Sequence, residues 1–304
     1  MKMALKVTKS TDVWTVETLC MTIYSQPGLG KTSLAFTASR PLLLDFDKGA
    51  FRAVDRKDAV PVSDWRDVAS ITAADVAGYD TIIIDTVGKA LDVLGQDVIR
   101  TSPKLAYGGA LNMQGWGQLG VRFSAFLRLL RGFGKDVILI AHMDEKDDGG
   151  QIKERLKVPG QTKDLVHTDS DVIARISIIN KARHLIFSPT EASFGKDPAA
   201  IGEMPIPDRD APEFKTALAD VLQSVKDKLN ALSADQVAHK AEVDWFSATL
   251  PGVTASDEIN ALLPRAQSAG RDVVLMLHDR AVALHLKFDK TAGAYAAIAQ
   301  AVAA

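Results

Sequence analysis

Tyr24-Ser25-Gln26-Pro27-Gly28-Leu29-Gly30-Lys31-Thr32-Ser33 decides how the rest of this 304-residue chain is read. The stretch follows an apolar run, residues 19–24, and opens a segment with helical character. A tight turn of small residues there lets successive backbone N–H groups point inward around phosphate oxygens, and the following helix adds the positive end of its dipole. Lys31 would reach the terminal phosphates and the Thr32 hydroxyl would hold Mg2+. The expected nucleotide-binding residues are therefore Ser25, Gln26, Pro27, Gly28, Leu29, Gly30, Lys31, Thr32 and Ser33. The usual spacing is G-x-x-x-x-G-K-[ST]; here Ser25 takes the first glycine position, a small residue that an extended backbone accepts.

Outward from that turn, short apolar runs with β-branched residues recur at 19–24, 41–46, 81–85 and 137–141. They are nearly continuous rather than alternating, as expected of a parallel sheet covered by helices on both faces. Segments 31–39, 64–77 and 116–131 are the expected crossovers. In the last, Trp116, Leu119, Phe123, Phe126, Leu127 and Leu130 form one apolar stripe at helical spacing. The fold class is thus α/β. Residues 172–179 and 184–188, separated by Asn180-Lys181-Ala182-Arg183, read as a hairpin attached to the sheet.

The strand ends carry the chemistry. Residues 81–85 bury four positions and finish on Asp85, an acid placed to face Mg2+ beside the phosphate turn. Asp45 and Asp47 close the run at 41–46, where a carboxylate could activate an attacking water, and Asp47 is the preferred candidate. His142 follows the run at 137–141 and could touch a terminal phosphate. The catalytic set is Lys31, Asp47, Asp85 and His142, with Thr32 and Asp85 as metal ligands and ATP with Mg2+ as the expected cofactors.

Composition narrows the alternatives. A hydrophobic fraction of 47% with 24% charged residues is that of an ordinary globular protein, and the net charge of -2 gives no global field for nucleic acid or an anionic membrane. Cys20 is the only cysteine, which excludes an internal disulfide and a cysteine-based zinc site and fits a reducing compartment. No run approaches a membrane span, and no signal peptide is expected behind the lysines at 2–9, so the expected location is cytoplasmic.

Two segments are candidate nucleic-acid contacts. Residues 143–170 are polar and glycine-containing, too long for an ordinary connection, and hold Lys146, Lys153, Arg155, Lys157 and Lys163 among acids that include Asp144, Glu145, Asp147, Asp148 and Glu154. Residues 97–120 offer Lys104 and Tyr107 within a glycine-rich stretch that could hold phosphates and stack bases. Beyond Glu213 the pattern turns helical: one helix at 214–232, another at 234–249 and a third at 255–269, with 272–288 and the Ala-rich end at 292–304 of open type. The expected organisation is an arm or strand at 1–18, an ATPase core at 19–200 and a mainly helical region at 201–304.

With these strand ends side by side, the chain resembles the RecA-like P-loop ATPases, and more closely the phage single-strand annealing recombinases with such a core. The resemblance spans residues 19–190. It implies Asp47 as catalytic acid, Asp85 as the Mg2+-associated acid and His142 as the sensor that opens a second DNA-binding loop at 143–169, the first lying within 102–117. It further implies ATP hydrolysis, single-stranded DNA binding, annealing or strand exchange, a homo-oligomeric ring or filament, a single-strand-binding protein as partner, and a phage or prophage origin. A basic residue from a neighbouring subunit (Lys153, Arg155 or Arg128) would then complete the site. Ser25 in the turn and a histidine as sensor depart from the family pattern. The other readings are a phage ATPase without a DNA role and a nucleotide-binding adaptor that times a protein contact.

Overall fold

Residues 20–25, 41–45 and 81–85 are buried end to end because each is an inner strand of one sheet, as the computed structural model of the chain shows. The structure describes residues 7–9, 11–53, 55–159 and 162–297, without the side chains of Gln151 and Lys163. Strand β1 (Cys20–Ser25) runs through the glycine-containing turn into α1 (Lys31–Ala35). Then come β2 (Pro41–Asp45), β3 (Ala59–Pro61), α2 (Arg66–Ala69), β4 (Thr81–Asp85) and α3 (Val87–Thr101). A short hairpin, β5 (Ala106–Tyr107) with β6 (Ala110–Leu111), precedes α4 (Met113–Gly132). It is followed by β7 (Asp136–Asp148), β8 (Gln151–Leu156), α5 (Thr162–Asp169), β9 (Val172–Ile179), β10 (Ala182–Ile186) and β11 (Glu203–Pro205). The last elements are α6 (Ala217–Thr249), α7 (Ser256–Ala269), α8 (Arg271–Ala283), β12 (Leu286–Asp289) and β13 (Ala294–Ala297).

The sheet order is β11-β10-β9-β1-β7-β4-β2-β3, parallel from β9 to β3 and antiparallel where β10 and β11 extend it. Alternation along each inner strand feeds two cores. Cys20, Tyr24, Leu42, Leu44, Ile82, Ile84, Val137 and Leu139 face the core shared with Leu91, Leu94, Phe123 and Leu127 of α3 and α4. Met21, Ile23, Leu43, Ile83, Ile138 and Ile140 face the other, with Leu34 of α1, Phe214, and Leu218, Val221 and Val225 of α6. Three polar bonds tie the layers. Asp136 accepts from Leu19 N at 2.7 Å and from Lys226 Nζ at 2.7 Å, and the Thr22 and Ser170 hydroxyls meet at 2.7 Å.

Val16–Leu229 forms one compact unit. The described residues of a second unit are 7–9, 11–15 and 230–297. Its core joins Phe246, Leu250, Ile259, Leu263, Val273, Leu277 and Tyr295. Asn260 clamps the β12–β13 hairpin, its Oδ1 accepting from Tyr295 N at 2.7 Å and its Nδ2 donating to Tyr295 O at 2.9 Å. No helix among the described residues is long and apolar enough to cross a membrane.

The α/β class is as the apolar runs require, but several local expectations change. Residues 143–156 are no loop: β7 continues past the sheet and pairs with β8 from Met143↔Leu156 to Asp148↔Gln151, and α5 follows. Gly149 (φ 69°) and Gly150 (φ 90°) supply the two left-handed positions that close this hairpin. The 31–39 and 64–77 crossovers shrink to α1 and α2, whereas α3 lies outside every expected crossover. Helices expected at 214–232 and 234–249 are the single α6, since Ser233 and its neighbours include neither glycine nor proline to interrupt it. The segment at 272–288 is helix then strand, and the Ala-rich end forms β13 up to Ala297. Residues 13–19 make no strand, and residues 1–6, 10 and 298–304 lie outside the described residues.

Candidate functional site

Register brings the strand ends together. Ser25 lies opposite His142, Asp45 opposite Asp85, and Asp85 opposite Ile140, so β1, β2 and β4 finish at one edge of the sheet. The chain leaving β2 is pinned there too, because Phe46 N and Asp47 N both donate to Asp85 O, at 2.8 and 3.0 Å. Asp45 and Asp47 therefore part company. The buried Asp45 carboxylate accepts from Gly49 N (3.1 Å) and Ala50 N (3.0 Å) and holds the turn. Asp47 instead borders a cavity, with Arg52 Nη2 at 3.6 Å.

That cavity, about 460 Å³, is bordered by Lys31, Thr32, Asp47, Asp85 and His142 together with Pro27, Gly28 and Gly30. Its size is that of a small-molecule site. Gly28 (φ 86°) and Gly30 (φ 84°) hold left-handed backbone that side chains resist, which is why the turn needs glycine there. Lys31 is buried, and its Nζ donates to Ser25 O, Ser25 Oγ and Gln26 O, each at 3.1 Å. Burial pulls this ammonium down to about 8, against the opposing pull of Asp85 and Asp47. Thr32 Oγ1 donates to Asp85 Oδ2 at 2.6 Å. Burial pushes Asp85 up to about 6, a shift moderated by that hydroxyl. His142 is half-buried, its Nδ1 finds no hydrogen-bond partner among the described residues, and burial followed by the Lys31 charge lowers its pKa.

These groups suit a magnesium triphosphate. A hydroxyl and a carboxylate in contact are hard oxygen donors of the kind Mg2+ accepts while keeping water and phosphate oxygens for its other positions. Thr32 and Asp85 are the residues that would hold it. All four side chains of the catalytic set thus border one cavity, and Pro27, Gly28, Gly30, Thr32 and Ser33 of the phosphate turn line it with them.

Among the remaining candidates, Lys146 and Lys153 are cross-strand partners in the β7–β8 hairpin. Lys104 is exposed and Tyr107 is 89% exposed, on the β5–β6 hairpin and the turn before it. Lys146 is exposed, Lys153 Nζ pairs with Asp148 at 2.5 Å, and Arg155 stacks over Phe194 at 5.2 Å. Lys157 is exposed and borders a second cavity that shares Asp47 and His142. Arg128 is exposed on α4, and the side chain of Lys163 lies outside the described residues. Sequence reasoning missed Arg52 and Arg209, both bordering the nucleotide cavity, and Arg183 beside it. Nothing in their spacing marks them; Arg209 sits in a proline-rich stretch that reads as a boundary.

Fold and site together make the protein a P-loop NTPase. The chain belongs to the AAA domain family, whose model matches residues 17–199. Among solved structures it is similar to a KaiC-like protein, PH0186, from the hyperthermophilic archaeon Pyrococcus horikoshii OT3. Identity is 10% and the TM-score 0.36, over 62% of this chain and 84% of that one. No curated protein matches it.

Proposed function

We propose that the chain is a Mg2+-dependent ATPase whose nucleotide state is passed to a protein partner through the β7–β8 hairpin. The observation that carries the reading is the shared rim of Lys31, Asp47, Asp85 and His142 around one cavity. Asp47, which borders that cavity and is not consumed by the turn that occupies Asp45, takes the proton of the attacking water. Lys31 exchanges its three oxygen contacts within the turn for phosphate oxygens, and the Nδ1 of His142 is the unpaired polar atom available to the terminal phosphate. Bound Mg2+ would neutralise charge on the phosphate oxygens, held by Thr32 and Asp85.

The output route is physical. Gln26 Nε2, in the phosphate turn, donates to Glu145 Oε1 at 2.7 Å, in the hairpin that begins one residue after His142. The hairpin and its exit carry Asp144, Glu145, Asp147, Asp148 and Glu154 against Lys146, Lys153, Arg155 and Lys157. Such a balance favours a protein surface over a phosphate backbone. A second reading, single-stranded DNA binding in recombination, draws on Tyr107 and Lys104, an exposed ring beside an exposed cation. ATP hydrolysis measured with and without single-stranded DNA separates the two: unchanged turnover favours the protein partner, stimulation the recombinase. Sedimentation with and without ATP tests the expected ring or filament. A purified protein that neither binds nor hydrolyses ATP would refute both readings.

A further inference from the structure

We propose that Arg183 and Arg209 form a clamp, in the same chain as the phosphate turn, on the polyphosphate of the bound nucleotide. The proposal rests on the ATPase reading and adds residues that neither the motif nor the strand ends contain. A Cβ built on Gly30 would lie 2.6 Å from Arg209 Nη2 and 3.0 Å from Arg183 Nη1, so both guanidinium groups press against the same point of the turn. Gly30 immediately precedes Lys31, and Arg209 borders the cavity that Lys31, Thr32 and Asp85 line. A polyphosphate cradled by this turn therefore passes within reach of two more cations.

The surroundings argue against a purely structural pair. Arg183 Nη2 donates to Pro207 O at 3.1 Å, Nη1 reaches Leu29 O at 3.5 Å, and the guanidinium lies over the Phe214 ring at 5.5 Å. Its contacts are thus carbonyls and a ring; among the described residues neither arginine has a carboxylate within ion-pair distance, and Asp208 acts on Arg183 only from further off. Burial and then the neighbouring Arg209 charge both work against the Arg183 cation. Two like charges pressed together at the edge of a cavity cost energy until an anion joins them. Guanidinium forks match phosphate oxygens in pairs, which selects a nucleoside di- or triphosphate over an uncharged ligand. The Arg183–Pro207 bond also holds the 207–212 segment against β10, so anion binding bears on the entry to α6.

The test is titration of MgADP and MgATP into the native protein, Lys31→Ala, Arg209→Ala and Arg183→Ala, with thermal unfolding of each free of nucleotide. Arg209→Ala is expected to bind both nucleotides about tenfold more weakly or worse. Its nucleotide-free Tm should equal or exceed the native value, since a repulsion is removed. Arg209→Gln replaces it if alanine does not fold. Native binding with an unchanged Arg209→Ala affinity overturns the clamp alone, whereas native protein that binds neither nucleotide overturns the phosphate-turn reading as well. Adding Lys31→Ala protein must not restore binding to Arg209→Ala. Restoration would place the arginine in a neighbour's site and overturn the same-chain assignment.

Discussion

The cavity at the sheet edge and the surface of the second unit handle charge in opposite ways. Around the phosphate turn, burial works against the charged forms: Lys31 falls to about 8, Asp85 rises to about 6 and His142 is lowered. In the second unit, partners favour them. Glu242 meets Arg265 through two bonds of 2.8 and 2.9 Å, which lowers the carboxyl and raises the guanidinium. Arg265 also stacks over Trp245 at 3.6 Å, and Asp272 is lowered on balance: desolvation opposes its charge most, but the bond to His239 and the backbone N–H bonds together outweigh it. One region has satisfied its charges internally; the other is left with charges that a ligand would satisfy. Strained electrostatics of the first kind mark function more reliably than a count of charged residues.

The largest effect expected from breaking this contrast is at Lys31. Lys31→Ala should weaken MgATP binding by about 100-fold and abolish turnover at ordinary ATP levels, read by calorimetry and phosphate release. Next comes Asp47→Asn, which should spare nucleotide affinity and slow turnover by about 100-fold or more; intact turnover would remove Asp47 from the water-activating role. A third effect runs against intuition, because Asp85→Asn should raise the Tm of the protein free of nucleotide and Mg2+ at neutral pH. Asp85 keeps its proton to about pH 6 when folded, against 3.8 as the ordinary value. The folded state thus binds more protons between those limits, and its stability falls as pH rises through them, with the cost complete above pH 6. Asparagine should erase that slope in unfolding curves recorded in chelator from pH 4 to 7. Arg265→Ala sharpens the other side of the contrast: a slightly lower Tm, with nucleotide affinity unchanged. The smallest effect is at Cys20, a fully buried thiol that burial pushes up to about 12. It should resist thiol reagents in native buffer and react once urea unfolds the chain.

Much of the nucleotide edge was legible because it is written locally. Continuous apolar runs mark inner strands, and an acid or histidine marks the end of three of the four runs, at Asp47, Asp85 and His142. Helix α3 was equally legible and still missed: Thr86 caps it, and Ala90, Leu91, Leu94 and Val98 make a buried stripe at helical spacing. The Gly149-Gly150 pair was a hairpin signal hidden by the charged arms around it, which offer no apolar alternation to suggest a strand. The basic residues of 143–157 look like one patch in sequence, and the register does set Lys146 opposite Lys153, but Asp144 and Asp148 share that face, Lys153 pairs with Asp148, and Arg155 lies over Phe194.

What the sequence by itself determined is the α/β class, the phosphate turn and the acids at the strand ends, since each depends on neighbours within a few residues and on burial of continuous runs. Only the tertiary structure decided that Asp45 braces a turn while Asp47 meets the cavity, and that Gln26 touches Glu145. It alone carried Arg183 and Arg209, more than 150 positions along the chain, to Gly30. Contacts at such separation arise from strand order and register, which no local pattern of side chains encodes.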